Sequence, residues 1–106
     1  MTNEQIREAC DALLSGRTFK IVTSRNYTVE TRSFRMFVDG TPVAKVQNNG
    51  LFVTVCCARN STTFSLLNGL PNVNITGHGD YQLNGRDRSG SWFKVVDDLY
   101  KTKDDL

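Results

Sequence analysis

Residues 50–70 read GLFVTVCCARNSTTFSLLNGL, and the reading of this stretch decides the fold. Leu51 to Cys57 is an apolar, β-branched run closed in front by Asn48-Asn49-Gly50, the pattern of a strand with little water on either face. Asn60-Ser61-Thr62-Thr63 then offers side-chain oxygens to the free N–H groups of a helix's first turn. A helix from Ser61 or Thr62 to Asn68 sets Phe64, Leu67 and Leu70 on one face. Gly69 suits a left-handed terminus, and Pro71 stops continuation. Such a turn could also hold a phosphate or carboxylate, with Arg59 beside it. It lacks the glycines that let a backbone wrap a phosphate, so capping is the stronger reading.

Upstream of this unit, Thr2 and Gln5 form a capping box. Ile6, Ala9, Cys10, Leu13 and Leu14 follow as one apolar stripe at helical spacing, and Gly16 ends the helix. Thr18 to Thr23 reads as a strand with Phe19 and Ile21 on one face and Lys20 and Val22 on the other. Tyr27 to Thr31 is a second strand. Phe34 to Val38 and Thr41 to Val46 flank Asp39-Gly40, which favours a type I′ hairpin. Pro42 places the second hairpin strand at an edge, or makes it begin irregularly. Downstream, Val73 to Thr76, Tyr81 to Leu83 and Trp92 to Val96 are short strands. This order implies an α+β fold: an N-terminal helix packed on a twisted, mainly antiparallel sheet, with a second short helix after the central strand. Residues 1–106 form a single domain, with 97–106 expected to fray or make one helical turn.

Hydrophobic content of 39% and charged content of 23% are ordinary for a globular protein. No apolar run is long enough to cross a bilayer, and the polar, acidic start does not read as a signal peptide. Three cysteines, Cys10, Cys56 and Cys57, do not make a disulfide framework, since the count is odd and two are adjacent. They read as buried thiols in a reducing cytoplasm. The net charge is +2, but residues 17–95 hold ten bases against four acids, while each end is acidic. A basic β-core between acidic ends suits an anionic partner, or is a solvated face balanced by the termini.

Candidate chemistry is sparse. His78, in Gly77-His78-Gly79-Asp80, is the single histidine, and a lone His on a turn is more often a loop residue than a general base. Cys56 or Cys57 in an apolar strand would have a raised pKa and make a poor nucleophile. No cofactor, metal or nucleotide motif is present, so the chain is expected to be non-enzymatic, with no cofactor and no membrane partner. Nucleic-acid binding needs bases interleaved with exposed aromatics. Phe19/Lys20, Tyr27/Arg25, Phe34/Arg35, Phe37 and Trp92/Lys94 qualify in composition. Alternation sets neighbouring Phe and Arg on opposite faces, however, so most of these aromatics are expected in the core.

The paired Thr62-Thr63 followed by Leu67-Asn68, after a hairpin strand reading Pro42-Val43-Ala44-Lys45 and before Tyr81 and Trp92, is similar to a group of small accessory proteins of tailed bacteriophages. The likeness covers roughly residues 26–95. Those proteins often carry a basic residue after the paired threonines, where this chain has Phe64. The resemblance implies an early-type phage accessory protein that works in the cytoplasm of an infected bacterium. It implies a protein that binds and modulates a host or anti-phage-defence protein, and it supplies no catalytic residues.

Two functions are therefore carried forward. In the first, a rigid scaffold blocks a host or defence protein through Arg59 and the glycine-flanked loop residues Arg86, Asp87 and Arg88. In the second, a small domain binds nucleic acid through a basic sheet face made of Arg25, Arg32, Arg35, Lys45 and Lys94. The discriminating features are whether those bases share one face and whether binding falls steeply with salt. An edge strand left open is the expected route to a homodimer.

Overall fold

A computed structural model describes residues 1–54, 60–76, 82–85 and 92–99. The N-terminal helix α1 (Asn3–Ser15) is closed at its start by the reciprocal Thr2–Gln5 capping box and at its end by Gly16 at φ +75°. Ala9, Cys10, Ala12 and Leu13 are its buried positions. Four strands then form a meander: β1 (Phe19–Val22), β2 (Thr28–Arg32), β3 (Arg35–Val38) and β4 (Thr41–Gln47). They are followed by β5 (Gly50–Val53), α2 (Ser61–Leu67), the short pair β6 (Ile75–Thr76) and β7 (Gln82–Leu83), and β8 (Phe93–Val96). Strands β1 to β5 lie in chain order and β8 joins beyond β5, every neighbour antiparallel. The expected α+β architecture is therefore what the chain adopts.

Two-residue turns fix the register. Ser33-Phe34, Asp39-Gly40 and Asn48-Asn49 all have positive φ at both positions. That conformation matches the right-handed twist of the flanking strands. The Asp39-Gly40 and Asn48-Asn49 turns carry residues that tolerate it, whereas Ser33-Phe34 carries none. Phe34 is held there at φ +63°, its ring laid against Gly16.

Val29, Met36, Val38, Ala44 and Val53 alternate onto the face covered by α1 and α2, where they meet Ala9, Leu13, Leu66 and Leu67 in one buried cluster, with Thr31 buried on the same face. β4 contains a bulge. Phe37 pairs with Pro42 but Met36 pairs with Ala44, so Val43 is the extra residue and both Val43 and Ala44 are buried. The strand expected at an edge is interior, and it is the irregular start that accommodates Pro42. A second irregularity on the β5–β8 ladder leaves Val95 between the partners of Phe52 and Leu51.

The central strand is described only to Thr54, with β5 ending at Val53; residues 55–59, including Cys56 and Cys57, lie outside the described residues. Asn60 caps α2 by accepting a hydrogen bond from the Thr63 N–H at 2.9 Å. The helix ends in a right-handed Asn68, and Gly69 does not adopt a positive φ. The left-handed role expected of Gly69 is thus corrected. A Cβ there would stand 2.6 Å from Ile6 Cγ2 and 3.1 Å from Cys10 Sγ, so the glycine is what lets the two helices close. The Asn68 side chain donates to the Ile75 carbonyl and accepts from its N–H, which fastens β6 to the end of α2. Within the expected tail, the Leu99 N–H donates to the Asn49 carbonyl at 2.7 Å, and residues 100–106 lie outside the described residues. No helix is long and apolar enough to cross a membrane among the described residues.

Candidate nucleic-acid interface

The helices cover one face of the sheet, so the other face carries residues that the core does not constrain. The hairpin registers give that face its order. Arg32 lies opposite Arg35, Arg35 opposite Lys45, Lys45 opposite Phe52, and Phe52 opposite Lys94. One row thus crosses β2, β3, β4, β5 and β8. At about 4.8 Å between strands its length is roughly 19 Å. A second row beside it runs Lys20, Glu30, Phe37, Pro42.

The β3–β4 irregularity matters to this row. In an uninterrupted hairpin around Asp39-Gly40, Arg35 would face Ala44 and Lys45 would turn toward the helices. The extra Val43 moves Ala44 into the core and brings Lys45 opposite Arg35. Lys94 stands opposite Phe52 in plain continuation of the Val53–Phe93 pair, and the shift at Val95 comes only beyond it.

The cations sit on the aromatic rings between them. Arg32 Cζ lies 4.8 Å from the centroid of Phe37. Lys45 Nζ lies 4.5 Å from the centroid of Trp92 and 5.5 Å from that of Phe52. Lys94 Nζ is 5.5 Å from the Phe52 centroid and 3.8 Å from Asp97 Oδ1, the one ion pair among the described residues. Arg32, Arg35 and Lys45 therefore have no carboxylate within salt-bridge reach among the described residues. Arg35, Phe37, Pro42, Lys45 and Trp92 line an open cleft of about 240 Å³.

Four of the five bases expected at a nucleic-acid site, Arg32, Arg35, Lys45 and Lys94, share this face. Arg25 does not: it occupies the β1–β2 turn and donates from Nη1 to Ser61 Oγ at 3.2 Å, toward α2. Arg59, Arg86, Asp87 and Arg88, the candidates for contact with a protein partner, lie outside the described residues, as does His78. Cys10 is described and buried, its thiol pushed up to about 12, chiefly by burial and secondarily by the neighbouring Asp11 carboxylate.

The expectation that most of these aromatics point into the core holds for Phe19 and Tyr27, which pack against it, and is corrected for Phe34, Phe37 and Trp92. Phe37 and Phe52 are half-buried on the open face, and Trp92 is 38% exposed. Immediate neighbours do lie on opposite faces, but the relevant spacing is two: Arg35 with Phe37, and Trp92 with Lys94. Phe52 was not anticipated as a site residue. A turn centred on Asn48-Asn49 pairs Lys45 with Phe52 by counting outward, which was the available signal. Comparison of the chain with protein-family models, curated proteins and solved structures gave no match.

Proposed function

We propose that the protein binds single-stranded nucleic acid on the open face of its sheet. The observation that supports this most directly is the row Arg32, Arg35, Lys45. Three cations stand directly opposite one another on consecutive strands with no described acid between them. Like charges in register destabilise a sheet. A polyanion laid across the row removes that repulsion and releases its own counterions.

The rings favour a single strand over a duplex. Aromatic side chains on a sheet can stack unpaired bases, whereas paired bases keep their faces inside the helix. In the free protein the rings are occupied by Arg32, Lys45 and Lys94. A surface cation–π contact is worth about 0.5–1 kcal/mol, and a stacked base about 1–3 kcal/mol. Exchange is therefore favourable: phosphates draw the cations off and bases take their place.

The alternative, a phage-type accessory protein that blocks a host or anti-phage-defence protein, rests on Arg59 and residues 86–88, and the open face adds nothing to it. The test is fluorescence anisotropy of a labelled single-stranded 20-mer between 50 and 200 mM salt. Four or five phosphate contacts give a log–log slope of about −3, or a loss of roughly 60-fold across that range. The double variant Arg35→Glu, Lys45→Glu abolishes binding. A salt-insensitive affinity, or an unchanged affinity in that variant, would overturn the proposal.

A further inference from the structure

Resting on that reading, we infer that the cleft between Phe37, Pro42 and Trp92 is a slot for one unpaired base, with Arg35 and Lys45 taking the phosphates on either side. Its walls are flat and apolar: a phenyl ring, a proline ring and an indole. Its polar rim is cationic, since both charged side chains that line it are basic. At about 240 Å³ it falls below the roughly 300–1,000 Å³ of pockets that enclose drug-sized ligands. One ring system fits such a volume and several do not.

The fold supplies this slot from separate parts of the chain. Phe37 and Pro42 are register partners on either side of the Asp39-Gly40 turn. Trp92 arrives from the segment that leads into β8, and Lys45 spans the gap to it at 4.5 Å. The same lysine also reaches the Phe52 ring, so it can leave Trp92 for a phosphate and keep an aromatic neighbour. A base then stacks where the ammonium was.

Trp92 is the chain's single tryptophan, so emission excited selectively from tryptophan, apart from the three tyrosines, reports this slot alone. The experiment titrates the full chain with an unlabelled oligothymidylate 12-mer, following Trp92 emission, and with a labelled copy, following anisotropy. An abasic 12-mer with the same backbone serves as the control. The expected result is quenching of Trp92 that saturates with the anisotropy midpoint, and at least fivefold weaker binding of the abasic strand. Phe37→Leu, which keeps an apolar side chain at the half-buried position, weakens the thymidylate strand about fivefold and the abasic strand hardly at all. Thermal melts confirm that the variant is folded. Anisotropy that rises without quenching, or equal affinity for both strands, would overturn the slot while leaving electrostatic binding by the face. No anisotropy change with either strand would overturn both.

Discussion

Lys45 Nζ stands 4.5 Å from the centre of the Trp92 ring, tying the middle of the sheet to the segment that enters its last strand. The contact depends on one extra residue. Val43 shifts the β3–β4 ladder by a single position, and because side chains alternate, that shift decides which face Lys45 occupies. Without it the basic row would break at its centre. Bulges are enriched where a side chain must be re-aimed for function, and here the re-aimed side chain is the one that bridges the two halves of the candidate site.

The in-register cations lead to a test in which stability and binding move in opposite directions. Arg35→Glu replaces two like-charge neighbours, Arg32 and Lys45, by two opposite-charge pairs. Each such pair contributes roughly 0.2–1 kcal/mol. The variant is expected to be more stable than the parent by about 1 kcal/mol, raising Tm by ~4 °C. Its affinity for a single strand should fall at least tenfold. Urea unfolding and anisotropy on the same samples check the pair. A variant that loses both stability and binding would mean that Arg35 holds the sheet together, and the functional account of the row would fail.

The elements with local signals were legible in the sequence. Thr2, Gln5 and Gly16 delimit α1, Asp39-Gly40 sets one hairpin, and Asn60 with its hydroxyl neighbours starts α2. Gly69 was misread because a glycine after a helix usually serves backbone conformation, whereas here it serves the approach of Ile6 and Cys10. Ser33-Phe34 was invisible as a turn, since neither residue favours positive φ. The candidate site was misjudged for a related reason. A bulge carries no composition signal, and the facing of Lys45 cannot be settled before Val43 is known to be extra. Pairing residues two apart, rather than adjacent ones, would have put Phe37 beside Arg35 on the open face.

Gly16 and Phe34 constrain each other, and a double-mutant cycle reads the constraint. A Cβ on Gly16 would lie 2.6 Å from Phe34 Cζ, on top of a backbone at φ +75°. The left-handed backbone alone costs an alanine about 1–2 kcal/mol. With the ring in the way, Gly16→Ala is expected to cost about 3 kcal/mol. In a Phe34→Gly background, where the ring is gone and φ +63° is relaxed, the same substitution should cost only about 1–2 kcal/mol. The difference is a coupling energy measurable by urea denaturation. Equal costs in the two backgrounds would show that the ring moves aside freely and does not hold the β2–β3 turn to the end of α1.

Cys10 gives the fold a pH dependence of known sign. The residue is 4% exposed, and its thiol donates to the Leu66 carbonyl at 3.5 Å and is pushed up from 9.0 to about 12, mainly by burial and then by Asp11. Between those values the unfolded chain releases this proton while the folded chain keeps it. The unfolded state then binds fewer protons, so stability must fall as pH rises, by at most about 1.4 kcal/mol per unit. Below pH 9 the protonated thiol is common to both states and the contribution is fully present. Cys10→Ala deletes this slope, and the comparison is between two chains that otherwise carry the same titrating groups. Urea unfolding at pH 7.5 and 10.5 should show a larger loss for the parent than for the variant. If the two lose the same amount, the Cys10 thiol is reaching water in the folded protein, and the tight seam between α1 and α2 that Gly69 permits is looser than its 2.6 Å approach to Ile6 implies.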